Sequence, residues 1–331
     1  MPTLSVIIPV LNEERHIRGA ILSAAVAAGP QAEILVVDDG STDGTASAVQ
    51  EVGSRHPGVR LLQHPGGTNR GVAASRNLGL AEARAPYVAF LDADDTCEPT
   101  RFTPCLGVLE GRPDLDGVLV PVRVVFETGS DAGARAFLPT VLGHESGIAP
   151  DDFARATLHG RSRFHISNCV VRASLFERSG VFNPRLALGE EDTDLWLRMA
   201  LCGRFLAIHH GEPLVTYRRH ATNRWRPAPA DLYRDLRVVA RVLRWARGSP
   251  HVSMSNRERL RTAFREKVLC ALVQARDTSA RRAGWSSAIV GWRTVPSLLA
   301  DRAVLANVVR LLRPGTGGSL RPPAGSDEAA P

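Results

Sequence analysis

The sequence predicts an α/β protein: a mixed sheet flanked by helices, with a helical, basic extension at its C-terminal end. Three observations carry this reading. Short, uninterrupted apolar runs at residues 4–10, 33–37, 59–62 and 86–91 have the length and continuity of strands buried on both faces. Segments of helical length separate them, an alternation that argues for parallel pairing with ligands held at the carboxyl ends of the strands. From residue 231 the composition turns helical and basic.

In chain order, the first helix is expected directly after Asn12, a good N-cap type, with Glu13 and Glu14 in its first turn and a stop at Gly29-Pro30. The second is expected from about Gly44 to just before Pro57-Gly58. Beyond residue 112, "GVLVPVRVVFET" and "HISNCVVRA" read as strands, residues 191–203 as a helix, and "FLAIHH" and "PLVTYRRH" as further strands, which makes the sheet mixed. The closing "RPGTGGSLRPPAGSDEAAP" reads as a disordered tail. The expected division is a main domain over 1–225, a basic helical region over 226–313 and a tail over 314–331.

Composition narrows the class. With 331 residues, 44% hydrophobic and 23% charged, wholesale disorder and a membrane bundle are both excluded. No apolar stretch approaches the roughly 20 residues of a spanning helix, and "MPTLSVIIPVLNEE" has no cationic leader, so a cytoplasmic protein without a signal peptide is expected. Cys97, Cys105, Cys169, Cys202 and Cys270 are odd in number and scattered, which fits reduced thiols rather than a zinc or redox motif. Net charge is +7, yet residues 231–313 hold 16 Arg and 1 Lys against 6 acids, a net of +11 that leaves −4 elsewhere. Within "DLYRDLRVVARVLRWAR", Leu232, Leu236, Val239 and Leu243 follow helical spacing, with Arg234, Arg237, Arg241 and Arg244 on the other side. Two readings stand: a helix packed on the main domain with a solvated arginine face, or docking on an anionic membrane surface. No nucleic-acid partner is expected.

Five stretches could carry chemistry. "VVDDGSTDGT" puts Asp38, Asp39, Ser41 and Asp43 at a strand end before a helix, either as a capping turn or as a carboxylate that reads a nucleotide. "HPGGTNRGVAASRNLG" supplies glycines for a close backbone approach, with Arg70 and Arg76 near, but lacks the Gly-Lys-Ser/Thr of a Walker loop. "YVAFLDADDT" drives a buried strand into Asp92, Asp94 and Asp95, whose mutual repulsion asks for a cation or a hydrogen-bond network. "GEEDTDLWLRMAL" opens a helix with Glu190, Glu191, Asp192 and Asp194, which serve either the helix dipole or a general base facing a cleft. "YRRHATNRW" adds His220 and Trp225, each open to a purely structural reading.

Taken in order, "VIIPVLNEE", "ILVVDDGSTDGT", "NRGVAASRNLG", "FLDADD", "EEDTDLWLRM" and "YRRH" resemble the motifs of the inverting family 2 glycosyltransferases, over roughly residues 3–225. The resemblance implies a GT-A fold and transfer of a sugar from a nucleotide-diphosphate donor, usually a UDP-sugar. The acceptor would be a saccharide or lipid-linked molecule of envelope or polysaccharide biosynthesis, reached at the inner face of the cytoplasmic membrane. It implies a divalent cation, Mn2+ or Mg2+, on Asp94 and His220. It further implies a donor pocket of Pro9, Val10, Asn12, Glu13, Asp39, Gly71, Arg76, Asp92 and Ala93. Asp192 takes the place of the catalytic base, and Glu191 and Trp225 are candidates for the acceptor. The Gln-x-x-Arg-Trp of processive synthases is broken here, since Ala221 precedes Arg224-Trp225 at the Gln position.

Three rivals accompany this reading. Asp92-Ala93-Asp94-Asp95-Thr96 fits the Asp-x-Asp-x-Thr of haloacid-dehalogenase phosphatases, but Lys267, the only lysine, lies on the wrong side of "GEEDTD". A nucleotidyltransferase would need a lysine-containing Gly-rich loop near the N-terminus. A non-catalytic sugar-nucleotide scaffold would not need both acid pairs and His220.

Overall fold

The computed structural model describes residues 1–127, 141–142, 148–158, 164–186, 189–208, 211–221, 223 and 231–277, with positions 290, 294, 304 and 306. Trp225, the tail expected over 314–331 and, apart from positions 290, 294, 304 and 306, the part of the expected basic region beyond residue 277 lie outside them.

The first half follows the apolar pattern. β1 (Leu4–Val10), α1 (Ile17–Ala28), β2 (Ala32–Asp38), α2 (Thr45–Arg55), β3 (Val59–Gln63), α3 (Val72–Glu82) and β4 (Tyr87–Phe90) alternate along the chain. β1, β2 and β4 are buried along their whole length, as strands covered by helices on both faces must be. α3 can approach β1 closely because Gly79 has no side chain: a Cβ there would sit 2.4 Å from Ile7 Cγ2.

The second half adds β5 (Thr96–Cys97), α4 (Thr103–Gly111), β6 (Gly117–Leu119), β7 (Val122–Phe126), β8 (Val141–Leu142), α5 (Phe153–Leu158), β9 (Cys169–Arg172), α6 (Leu175–Ser179), α7 (Glu190–Cys202), β10 (Phe205–Ala207), β11 (Val215–Arg219), α8 (Asp231–Gly248) and α9 (Met254–Asp277). Seven strands form one sheet in the order β10-β6-β9-β4-β1-β2-β3, and β5-β11-β7-β8 form a second. β9 runs antiparallel to β4 and β6, while β1, β2, β3 and β4 are parallel, so the sheet is mixed as the sequence predicts. Residues Met1–Phe264 form one compact unit and Arg265–Pro331 another. Among the described residues, no helix is long and apolar enough to cross a membrane.

Three local expectations are corrected. The first helix begins at Ile17 with His16 at its cap, not after Asn12. Asn12 adopts φ 55°, and its Oδ1 accepts from Thr42 N at 2.8 Å, so it laces the β1 loop to the β2 loop. Glu13 and Glu14 follow suit: Glu13 N donates to Thr45 Oγ1, and Glu14 Oε2 accepts from Gly44 N. "GVLVPVRVVFET" is two strands in different sheets, parting at Val120-Pro121, where proline offers no N–H to continue a ladder. "HISNCVVRA" enters its strand through a 3₁₀ turn over Ile166–Asn168.

Candidate functional site

The carboxyl ends of β1, β2 and β4 open onto one cleft of ≈ 180 Å³. Pro9 and Val10 line it at the end of β1, together with Glu13 from the loop that follows. Asp39 lines it beyond β2, and Asp92, Ala93 and Asp94 beyond β4. Tyr217, Arg219 and Asn223 close it from the second sheet's side.

Asp39 is buried and held by the glycine loop: Arg70 N donates to Oδ1 at 2.8 Å and Gly71 N to Oδ2 at 3.0 Å. The loop fits because Gly40 takes φ 82°, where a Cβ would stand 2.7 Å from Gly67 O. Gly71 thus acts through its backbone, and neither Gly71 nor Asn12 is on the cleft wall. Neighbouring acids do ordinary turn work. Asp38 Oδ1 accepts from Ser41 N, and Asp43 Oδ1 accepts from Thr45 Oγ1 and Thr45 N, which together hold its carboxyl below the usual range against the opposing effect of burial.

Arg76 is the hub of the cleft floor. Its Nη2 donates to Asp92 Oδ1 at 3.1 Å and its Nη1 to Glu191 Oε1 at 3.3 Å, joining the β4 end to the first turn of α7. Burial pushes Glu191 up to about 7 and Asp92 up to about 6; the Asp192 charge adds to both, and Arg76 opposes. Asp94 also contributes to the rise at Asp92. Arg76 Nε and Glu191 Oε2 are buried and lack hydrogen-bond partners among the described residues. A buried pair left half-satisfied is costly, and a polar ligand in the cleft is the natural complement.

Asp94 faces the other way. Its Oδ2 lies 3.1 Å from His220 Nε2 and accepts from Asn223 Nδ2 at 2.8 Å. The carboxylate with an imidazole beside it, partly open to the cleft, is a donor set that suits a divalent cation. Asp95, by contrast, is fully buried and structural: Ser167 Oγ donates to Oδ2 at 2.7 Å and Arg218 N to Oδ1 at 3.1 Å. Burial and the adjacent Asp94 and Asp92 charges raise its pKa strongly.

The α7 acids divide by role. Glu190 is buried and meets Arg237 at 2.6 Å and Arg241 at 3.4 Å, both from α8. Asp194 is paired to Arg198 at 2.8 Å. Between them Asp192 is half-buried, and its Oδ1 accepts from Thr193 N at 2.6 Å. Leu236, Val239 and Leu243 of α8 are buried, so the expected apolar face is real.

Sequence reasoning passed over His16 and Asn223. Asn223 lies within "YRRHATNRW", three residues after His220, whereas His16 follows "VIIPVLNEE" by two residues, three after Glu13. Only the fold shows His16 and His220 with ring centroids 4.9 Å apart.

Comparisons with known proteins agree with this geometry. The chain is 37% identical over 225 residues to the Escherichia coli uncharacterized glycosyltransferase YibD, covering 66% of this chain and 62% of that one. It is 29% identical over 226 residues to the succinoglycan biosynthesis protein ExoO of Rhizobium meliloti, covering 66% and 61%. The chain spans 37% to 66% of the length of the first curated relatives it matches. Its fold is similar to S. aureus TarS 1-349 in complex with UDP-GlcNAc, with a TM-score of 0.67, 17% identity and coverage of 93% and 90%. It is also similar to the mannosyltransferase PcManGT from Pyrobaculum calidifontis in complex with GDP-Man and Mn2+, with a TM-score of 0.51, 20% identity and coverage of 94% and 87%. The "Glycosyl transferase family 2" model matches residues 5–178, more than half of the sequence, and the phosphatase and nucleotidyltransferase readings give way to it: the chain belongs to glycosyl transferase family 2.

Proposed function

We propose that this chain is an inverting glycosyltransferase that moves a sugar from a nucleotide-diphosphate donor, a UDP-sugar by preference, to a saccharide or lipid-linked acceptor. One observation carries the reading: Asp39, Arg76, Asp92 and Asp94 line a single cleft at the carboxyl ends of parallel strands, where α/β sheets bind nucleotides, with Glu191 joined to it through Arg76. The neighbours holding UDP-GlcNAc and GDP-Man with Mn2+ support the donor class and the cation.

Asp39, Pro9 and Val10 form the wall for the nucleoside, Asp92 meets the ribose, and Arg76 the diphosphate. The orphaned Arg76 Nε and Glu191 Oε2 are suited to complete such contacts. Asp94 and His220 would hold a divalent cation, which supplies charge neutralisation to the departing diphosphate. Asp192, on the rigid first turn of α7, accepts the proton of the acceptor hydroxyl as its oxygen attacks the anomeric carbon opposite the leaving group. A single displacement of that kind inverts the anomeric configuration.

On α8, Arg237 and Arg241 are engaged by Glu190, while Arg244 and Arg247 are exposed. That narrows the arginine face available to an anionic membrane and favours helix packing as the main use of its basic residues. The test of the function is a panel of nucleotide sugars assayed for cation-dependent binding and slow hydrolysis. Selective turnover of one UDP-sugar is expected, and indifference to every nucleotide sugar would remove the proposal.

A further inference from the structure

We propose that Glu13, His16 and His220 form a site for a transition-metal ion of the zinc and cobalt class, which the protein binds without any nucleotide. Glu13 and His16 are three residues apart in the turn entering α1, where His16 N donates to Glu13 O at 3.1 Å, and this brings both side chains to one side. Glu13 Oε2 then stands 2.9 Å from His16 Nδ1. β11 delivers His220 to the same place, its ring centroid 4.9 Å from that of His16 and tilted by 35°. One ligand atom from each of the three residues lies within 4.8 Å of the other two. Metal bonds of about 2.0–2.2 Å to nitrogen and oxygen hold ligand atoms somewhat closer than that, so modest side-chain rotations close the shell.

The donor set determines the ion. Two imidazoles and one carboxylate suit zinc, cobalt and their neighbours, whereas Mg2+ favours oxygen ligands and keeps its waters. Asp94 Oδ2, 3.1 Å from His220 Nε2, is the carboxylate that orients the imidazole. The bland alternative is a pair of histidines, each satisfied by its own acid, with no affinity for metal. Two facing imidazoles sharing one acid-lined corner favour a common cation instead. The site shares His220 with the proposed donor cation yet goes beyond that reading, because it needs no donor.

Tag-free, full-length protein titrated with Co2+ in the absence of nucleotide tests this by visible absorption, with Zn2+ as competitor. Intense d–d bands from one ion per chain are expected, displaced by Zn2+ and not by excess Mg2+. His16→Asn and Glu13→Gln should each weaken Co2+ binding by about 10-fold or more, with circular dichroism confirming that both fold. A spectrum no different from aqueous Co2+, or wild-type affinity in both variants, overturns the proposal. Calorimetry of UDP with Mg2+ on the same samples separates its failure from failure of the glycosyltransferase reading.

Discussion

At the scale of single residues, the cleft sorts its acids by what surrounds them. In the proposed mechanism Asp192 takes the acceptor's proton, so Asp192→Asn should cut transfer by about 10²- to 10⁴-fold while leaving donor affinity nearly intact. Glu191→Gln should be milder; kinetics of the two variants decide, and a larger loss from the glutamate change would reverse the assignment. The raised groups also make a stability prediction. Asp92 moves from 3.8 to about 6 and Glu191 from 4.5 to about 7, so in this window the folded protein binds more protons than the unfolded chain. Their contribution is therefore fully present below about pH 4 and is lost as pH rises through about 7. Asp92→Asn should gain in melting temperature relative to wild type at pH 7.5 compared with pH 5, measured without cation or nucleotide; a constant difference would show that the pair is not strained. The sequence exposed these acids as a repelling cluster, but not which would be buried. Asp95 and Asp94 are adjacent, and only their partners, Ser167 and Arg218 against His220 and Asn223, separate a structural acid from a candidate ligand.

At the scale of elements, α7 is held from behind. Glu190 is buried, and its charge is balanced by Arg237 and Arg241 reaching across from α8, one residue before the Glu191-Asp192 pair. Replacing both arginines by alanine leaves a buried carboxylate without its cations, at a cost of about 1–3 kcal/mol, moderated by the partial exposure of the arginines. Thermal melts should show the loss, and Glu190→Gln in that background should restore part of it. Packing of α3 on β1 has a similarly sharp requirement. Gly79→Ala would drive a methyl into Ile7 and should destabilise by about 1–3 kcal/mol in denaturant melts. Strands β1 to β4 and helix α2 were legible because buried apolar runs and Gly-Pro breaks mark them directly. The start of α1 was not, since Asn12 and Glu14 spend their side chains on the neighbouring loop rather than on a cap. Neither was the split at Pro121, because β6 and β7 read as one apolar run until they part into two sheets.

At the scale of the whole molecule, the order of motifs along the chain is the order in which the fold delivers walls of the cleft. β1, β2 and β4 end there and α3 brings Arg76; behind that wall α7 joins Glu191 to Arg76, and the residue after β11, His220, meets Asp94. What the sequence could not disclose is coupling between them: Arg76 joining Asp92 to Glu191, His16 meeting His220, and α8 clamping α7. Such contacts arise between segments far apart in the chain, with no periodicity to announce them. The central claim is that this cleft takes a nucleotide-diphosphate donor through a cation on Asp94. Calorimetry of UDP with Mn2+ tests it most directly, on the wild type and on Asp94→Asn. Binding should disappear with chelator and weaken strongly in the variant; equal affinity with chelator present, or in Asp94→Asn, would contradict a cation held on Asp94.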